Sequence, residues 1–213
     1  MGCEAVWPLF GFRLETSALT LRCATEADMC VLAAMLPTDL EVDPSLPHHE
    51  GLAPPEQRAI GELQQYWRNL GSWTADSWKL PFVVEVDGGP VGCQTLEADG
   101  FPTRRLVDTA SWLVVEARGR GWGRAMRAAV LHLAFDGLGA SFAVSSAWHD
   151  NHASLGVSRS LGYVDNGIDM HVHDGRADRL QRMLLTAERW RGVVRPDVTI
   201  VGLDACRSLF GLA

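Results

Sequence analysis

The chain has no Cys-x-x-Cys pair, no long hydrophobic run, no overall basic excess and no internal repeat. Each absence closes a class of function. Its five cysteines (Cys3, Cys23, Cys30, Cys93 and Cys206) are odd in number and widely spaced. That pattern supports neither a disulfide framework nor a zinc site, and free thiols imply a reducing compartment. No stretch approaches the roughly 18 consecutive apolar residues of a membrane span. Near the N-terminus, Glu4 and Pro8 break up a short apolar piece, so no signal peptide is expected. A net charge of −7 and a pI near 5.4 argue against a nucleic-acid partner. These readings predict a cytoplasmic protein that binds neither nucleic acid nor membrane.

What is present is ordinary for a globular protein. The chain has 213 residues, 47% hydrophobic and 21% charged, enough to bury a single core without staples. One domain is expected over residues 1–192. Residues 193–213 form an extension, packed on the same domain or at a contact between two copies.

Hydrophobic periodicity and turn residues outline the elements. Leu19–Cys23 alternates like a strand, and Thr25 with Asp28 forms a capping box for a helix running to about Leu36. Residues 37–55 carry five prolines and no periodicity, and read as a long loop of the kind that closes over ligands. A helix of roughly 55–70 follows. Strands Pro81–Val86 and Val91–Leu96 are joined through Asp87-Gly-Gly89, and a longer strand spans about Arg105–Val115. A helix with an apolar stripe from Trp122 to Leu138 then ends at Gly137 and Gly139. Ser141–Ala147 is a strand, Asn151–Leu161 a helix, and Tyr163–His171, Leu180–Thr186 and Val198–Val201 are further strands.

The most informative segment is Leu113-Val-Val-Glu-Ala-Arg-Gly-Arg-Gly-Trp-Gly-Arg-Ala-Met126, which runs from strand through a glycine turn into a helix. Gly119, Gly121 and Gly123 let main-chain N–H groups approach an anion, and the helix N-terminus adds unpaired donors and a positive dipole end. Arg118, Arg120 and Arg124 are placed to contact phosphate oxygens from the side. The expected ligand is a pyrophosphate. A P-loop is excluded, because no Lys is present here. The dinucleotide fingerprint fails as well, since Arg124 stands where its third glycine belongs. The plain alternative is a tight strand-to-helix connection with no ligand.

Arg118-Gly-Arg-Gly121-Trp-Gly123 resembles the Arg/Gln-x-x-Gly-x-Gly/Ala signature of the GCN5-related N-acetyltransferases, the GNAT family. Asn151-x-x-Ser154 followed by Gly162-Tyr163 resembles a second segment of that family, and the Leu185-to-Trp190 ending is similar to its RimL-like branch. The resemblance covers most of residues 13–190. It implies an α+β fold with a mixed, mostly antiparallel sheet between helices. It also implies transfer of an acyl group from acetyl-CoA, succinyl-CoA or another short acyl-CoA to a primary amine in a ternary complex. The acceptor would be a small molecule or a protein N-terminus; a homodimer is open to such a chain, and no metal is needed. A CoA-binding sensor without catalysis is the rival.

By the same resemblance, Leu113, Val114 and Val115 bind the pantetheine arm, and residues 118–124, including Trp122, hold the diphosphate. Asn151 and Ser154 also touch the cofactor. Ser154 is the candidate acid for the leaving thiolate, with Ser158, one turn on, a second choice; the family often has Tyr at that position. Asp108 is the candidate base. The alternative roles are a helix cap for Asn151 and Ser154 and a solvated strand face for Asp108. A carboxylated acyl group would need a cationic partner that the sequence alone does not reveal. His171-Val-His173 and His149-x-x-His152 lack a third ligand and read as structural. Trp67, Trp73 and Trp78 either line an acceptor pocket or pack in the core.

Overall fold

The computed structural model describes residues 2–40, 47–173, 175–195 and 197–212. The chain enters through a short helix, α1 (Cys3–Val6), and then β1 (Arg13–Glu15), β2 (Thr20–Cys23), α2 (Glu26–Ala34) and α3 (Pro54–Gly71). Next come β3 (Trp78–Val86), β4 (Gly89–Ala98), the single turn α4 (Phe101–Arg104), β5 (Leu106–Leu113) and α5 (Trp122–His132). The rest is β6 (Phe142–Trp148), α6 (His152–Ser160), β7 (Val164–His173), β8 (Arg176–Thr186), α7 (Ala187–Arg191), β9 (Thr199–Val201) and α8 (Leu203–Cys206).

The strands form one sheet in the order β7-β8-β6-β5-β4-β3-β2-β1-β9, and every neighbouring pair is antiparallel except β5–β6. Alternation along the strands divides the core between the two faces. On one face Met29 and Leu32 of α2 and Tyr66 of α3 pack with Val83 and Cys93. On the other, Met126, Ala129 and Val130 of α5 join Leu80, Phe82, Leu96 and Val107. The result is the expected α+β arrangement of a mixed sheet between helices.

Several boundaries moved for local reasons. The Thr25–Asp28 capping box is complete, with Thr25 N–H donating to Asp28 at 2.8 Å and Asp28 N–H to Thr25 Oγ1 at 3.3 Å, but α2 stops at Ala34. The long strand into the glycine turn begins after α4 and ends at Leu113, because Val115–Ala117 coils into a 3₁₀ turn. The helix after the turn is regular only to His132, and its last stretch, Leu133–Gly137, widens to a π-turn. Strand β1, only three residues long, has too little alternation to stand out in the sequence; it pairs with β2 on one side and β9 on the other. Of the proline-rich loop, residues 41–46 lie outside the described residues.

Trp73 and Trp78 belong to the core. They form a ring cluster with Trp7 and Phe210, with Trp78 and Phe210 centroids 5.0 Å apart, and Trp73 Nε1 donates to Leu209 O at 2.9 Å. Trp67 is 49% exposed and donates to Glu26 at 2.8 Å.

Candidate active site

The site is built where β5 and β6 separate. Their parallel ladder joins only Leu106–Asp108 to Phe142–Val144. Beyond it β5 stays with β4, to the pair Gly92–Leu113, and β6 stays with β8. A side chain at residue 92 would run into the Trp112 carbonyl, so glycine there lets β4 hold the end of β5. A wedge opens between the two parallel strands, and the glycine turn and α5 lie at its mouth.

In that turn Gly119 and Gly121 have φ of 73° and 83°, the left-handed region that glycine adopts without strain. The N–H groups of Gly119, Arg120, Gly121, Trp122 and Gly123 donate to no protein acceptor among the described residues. Five consecutive amides at a helix N-terminus form a concavity of the kind that suits an anion, with donors that are otherwise costly to leave unpaired. The arginine side chains of the turn are engaged elsewhere. Arg118 grips Asp39 through two bonds of 2.6 and 2.9 Å and reaches Leu113 O at 3.1 Å, and its guanidinium holds the Asp39 carboxyl below the usual range. Arg124 donates to Val194 O at 2.8 Å, and Arg120 lies over the Trp122 ring at 5.3 Å. The concavity is therefore a main-chain feature, and Arg118 ties it to the start of the proline-rich loop.

The residues expected to lie along a pantetheine arm sit where the strand gives out. Leu113 is the last strand residue, Val114 donates its N–H to Val91 O at 3.0 Å, and Val115 is exposed at the start of the 3₁₀ turn. Across the wedge, Asn151 caps α6 by accepting from Ser154 N–H at 3.0 Å. Ser154 is half-buried in the first turn of that helix. Ser158 is only 2% exposed, and its hydroxyl accepts from Arg127 Nη1 at 2.9 Å, so it lies beneath the wedge and away from its mouth.

On the α2–α3 face lies a cavity of about 280 Å³, lined by Glu62, Tyr66, Lys79, Glu97, Ser111 and Trp112 among others. Burial raises the Glu62 carboxyl, and the Trp112 indole opposes that rise from nearby, although no hydrogen bond of ordinary geometry closes from its N–H. Asp108 pairs in register with Glu97, and Lys79 holds Glu97 at 2.8 Å. Burial pushes the Asp108 carboxyl up to about 6 and the Glu97 charge adds to this, while the bond from Thr109 N–H, at 2.6 Å, and the Arg127 and Lys79 charges oppose it. A carboxyl poised there is matched to proton transfer near neutral pH.

Of the histidines singled out by spacing, His171 and His173 lie on β7, His149 follows β6 and His152 opens α6. His149 and His173 turn Nδ1 to Asp178 at 3.1 and 3.4 Å, and His173 stacks on Trp148 at 4.1 Å.

Residues 18–164 match the family described as acetyltransferase (GNAT) domain. The chain belongs to the GNAT acetyltransferase family. This acetyltransferase is also similar to solved structures that share its fold. A chimera of the spermidine N-acetyltransferase SpeG from Vibrio cholerae and hSSAT aligns with a TM-score of 0.64 at 18% identity, over 82% of this chain and 99% of that one. A probable acetyltransferase gives 0.66 at 17% identity, over 84% and 99%. Mutant forms of the spermidine/spermine N-acetyltransferase SpeG from Vibrio cholerae give 0.64 at 17%, over 83% and 98%. As a GNAT acetyltransferase the protein is an enzyme of acyl transfer that uses acyl-CoA. Among the described residues no helix is long and apolar enough to cross a membrane, and no cluster of His, Cys, Asp and Glu has a metal-binding arrangement.

Sequence reasoning missed one residue of this site. Arg127 of α5 is 4% exposed and lies between the diverging strands. Its guanidinium donates to Ser111 of β5 at 2.9 Å, Ser145 of β6 at 3.3 Å and Ser158 of α6 at 2.9 Å. The available signal was an arginine within the apolar stripe of α5, but its three partners are far apart in sequence.

Proposed function

We propose that the protein is an N-acyltransferase that moves a short acyl group from CoA to a primary amine held in the 280 Å³ cavity. The observation that carries this reading is the row of five unpartnered amides at residues 119–123. They would grip the diphosphate, with Arg118 organising the turn and Leu113–Val115 lying along the pantetheine arm. The wedge then delivers the thioester between β5 and β6, while the amine approaches from the α2–α3 face. Holding both reactants in this geometry supplies up to roughly 7–11 kcal/mol of the barrier.

In this reading Asp108 takes the proton from the incoming ammonium, directly or through water. The amine nitrogen attacks the thioester carbon, the C–N bond forms and the C–S bond breaks. Ser154 protonates the departing thiolate and regains a proton as the nitrogen gives up its second one to become an amide, and Ser158 supports the wedge floor from below. The Glu62 and Glu97 carboxylates favour a cationic acceptor, a property in keeping with a polyamine-like small molecule or a protein N-terminus. Asn151-x-x-Ser154 and the buried Leu185 and Trp190 favour the RimL-like branch. A homodimer has a natural seam in edge strand β7, where Ile168, Met170 and Val172 are all more than half exposed.

Calorimetric titration with CoA, acetyl-CoA, succinyl-CoA, ATP and NAD tests the reading. Binding of the CoA species alone is expected, followed by acylation of a diamine or peptide from a mixed panel. Binding of ATP or NAD with no response to any CoA species would sink it.

A further inference from the structure

Arg127 is a cation buried at the floor of the wedge with no ion-pair partner, and Asp108 acts on it only from beyond ion-pair distance. Its three hydrogen-bond partners are neutral serine hydroxyls, and no carboxylate lies within ion-pair distance of it among the described residues. Burial of an unpaired charge is costly, and a guanidinium cannot escape by losing its proton. Its Nε–H has no partner at all. Nη1 makes two bonds and Nη2 one, so the Nε–Nη2 edge is the under-used side of the fork. That edge is the one that takes a carboxylate through two parallel bonds.

The position is as telling as the deficit. Ser111 and Ser145 stand on the two strands just past the last paired residues, Asp108 and Val144, so Arg127 spans the gap where the strands part. Ser111 also lines the acceptor cavity, placing the guanidinium one hydroxyl behind the cavity wall. The one cation lining the acceptor cavity, Lys79, is already held by Glu97 at 2.8 Å, and Glu62 adds a further carboxyl, so the cavity offers no free cation to an anionic acceptor. An anion meant for Arg127 would therefore arrive with the donor.

We propose that Arg127 selects a donor whose acyl group ends in a carboxylate, a dicarboxylic acid monothioester of CoA. This rests on the acyl-CoA reading above. The carboxylate seats on the Nε–Nη2 edge while the amine attacks the thioester carbon. The C–N bond forms, the C–S bond breaks, the thiolate leaves with a proton, and the product is an amide with a free carboxylate. Arg127 touches only the far end of the acyl group and determines specificity.

The test compares thioesters matched in chain length: succinyl-CoA against butyryl-CoA, malonyl-CoA against propionyl-CoA and glutaryl-CoA against pentanoyl-CoA. Free CoA serves as the control for the pyrophosphate site. In the wild-type protein at least one carboxylated member is expected to exceed its neutral partner tenfold or more in kcat/KM. It should also give a larger rise in melting temperature. Arg127→Met should reverse that ratio while free CoA binds unchanged. If Arg127→Met does not fold, Arg127→Lys decides, since it keeps the charge and loses the fork; a severalfold fall in the ratio is expected. Neutral thioesters used as well as or better than all carboxylated ones by the wild type would overturn the proposal, as would an unchanged ratio in the folded variant. If no CoA species binds, the acyl-CoA reading itself falls.

Discussion

Replacing Asp108 by Asn separates the stability and the chemistry of one buried carboxyl. In the folded protein burial lifts this group from 3.8 to about 6. At about 1.4 kcal/mol for each tenfold change in proton affinity, that rise corresponds to about 3 kcal/mol. The folded state holds the proton more tightly than the unfolded chain. Stability from the protonated carboxyl is therefore complete below 3.8 and lost as pH rises through about 6. Asn stays neutral, and its side-chain carbonyl can still accept from Thr109 N–H. Asp108→Asn should match the wild type near pH 3.5 and exceed it by up to about 3 kcal/mol at pH 8. For a chain of this size that is roughly 6–12 °C in melting temperature. The activity should move the other way, falling on the order of 10²–10⁴ with loss of the acid limb centred near pH 6. Urea titrations at pH 4, 6 and 8 with parallel initial rates give both readouts. A variant no more stable at pH 8 than the wild type would refute the claim that burial opposes the charge. A stabilised variant with full activity would remove Asp108 from the chemistry.

Gly123→Asp should lower CoA affinity at least tenfold in a calorimetric titration while the melting temperature holds within a few degrees. A Cβ at residue 123 meets only Leu113 and Val157 at 3.8 and 3.9 Å, and an acidic residue suits a helix first turn. Gly121 is a poorer target, since its φ of 83° would strain any other residue. Phe210→Ala should cost about 3–5 kcal/mol by denaturant unfolding, because a fully buried ring is removed from the Trp73–Trp78 cluster. In a thiol titration of the native protein Cys3 and Cys30 should react quickly. Cys23, Cys93 and Cys206 should wait for unfolding, since they are buried and burial pushes the Cys23 and Cys93 thiols up to about 12.

What the sequence disclosed was local. The glycine turn, the Thr25–Asp28 cap and the apolar stripe of α5 each depend on residues within a few positions of one another, so pattern and spacing carried them. Arg127 depends on Ser111, Ser145 and Ser158, from three separate elements. Along the chain it is one more arginine near the turn, and nothing in its spacing marks it as a buried cation. Arg118 and Arg124 show the reverse: their positions suggested phosphate contact, but Asp39 and the Val194 carbonyl reach them first in space. The tryptophans illustrate the same limit, because only the fold shows that Trp112, and neither Trp73 nor Trp78, borders the cavity.

The aromatic cluster joins positions that are made far apart in the order of synthesis. Trp7 meets Trp73, Trp73 stacks on Trp78, and both pack against Phe210, while β9 adds the final strand beside β1. A growing polypeptide can fold the wedge and its glycine turn well before this seam has all its parts. The seam must then stay open, with two indoles unsheltered, until residue 210 has cleared the ribosome.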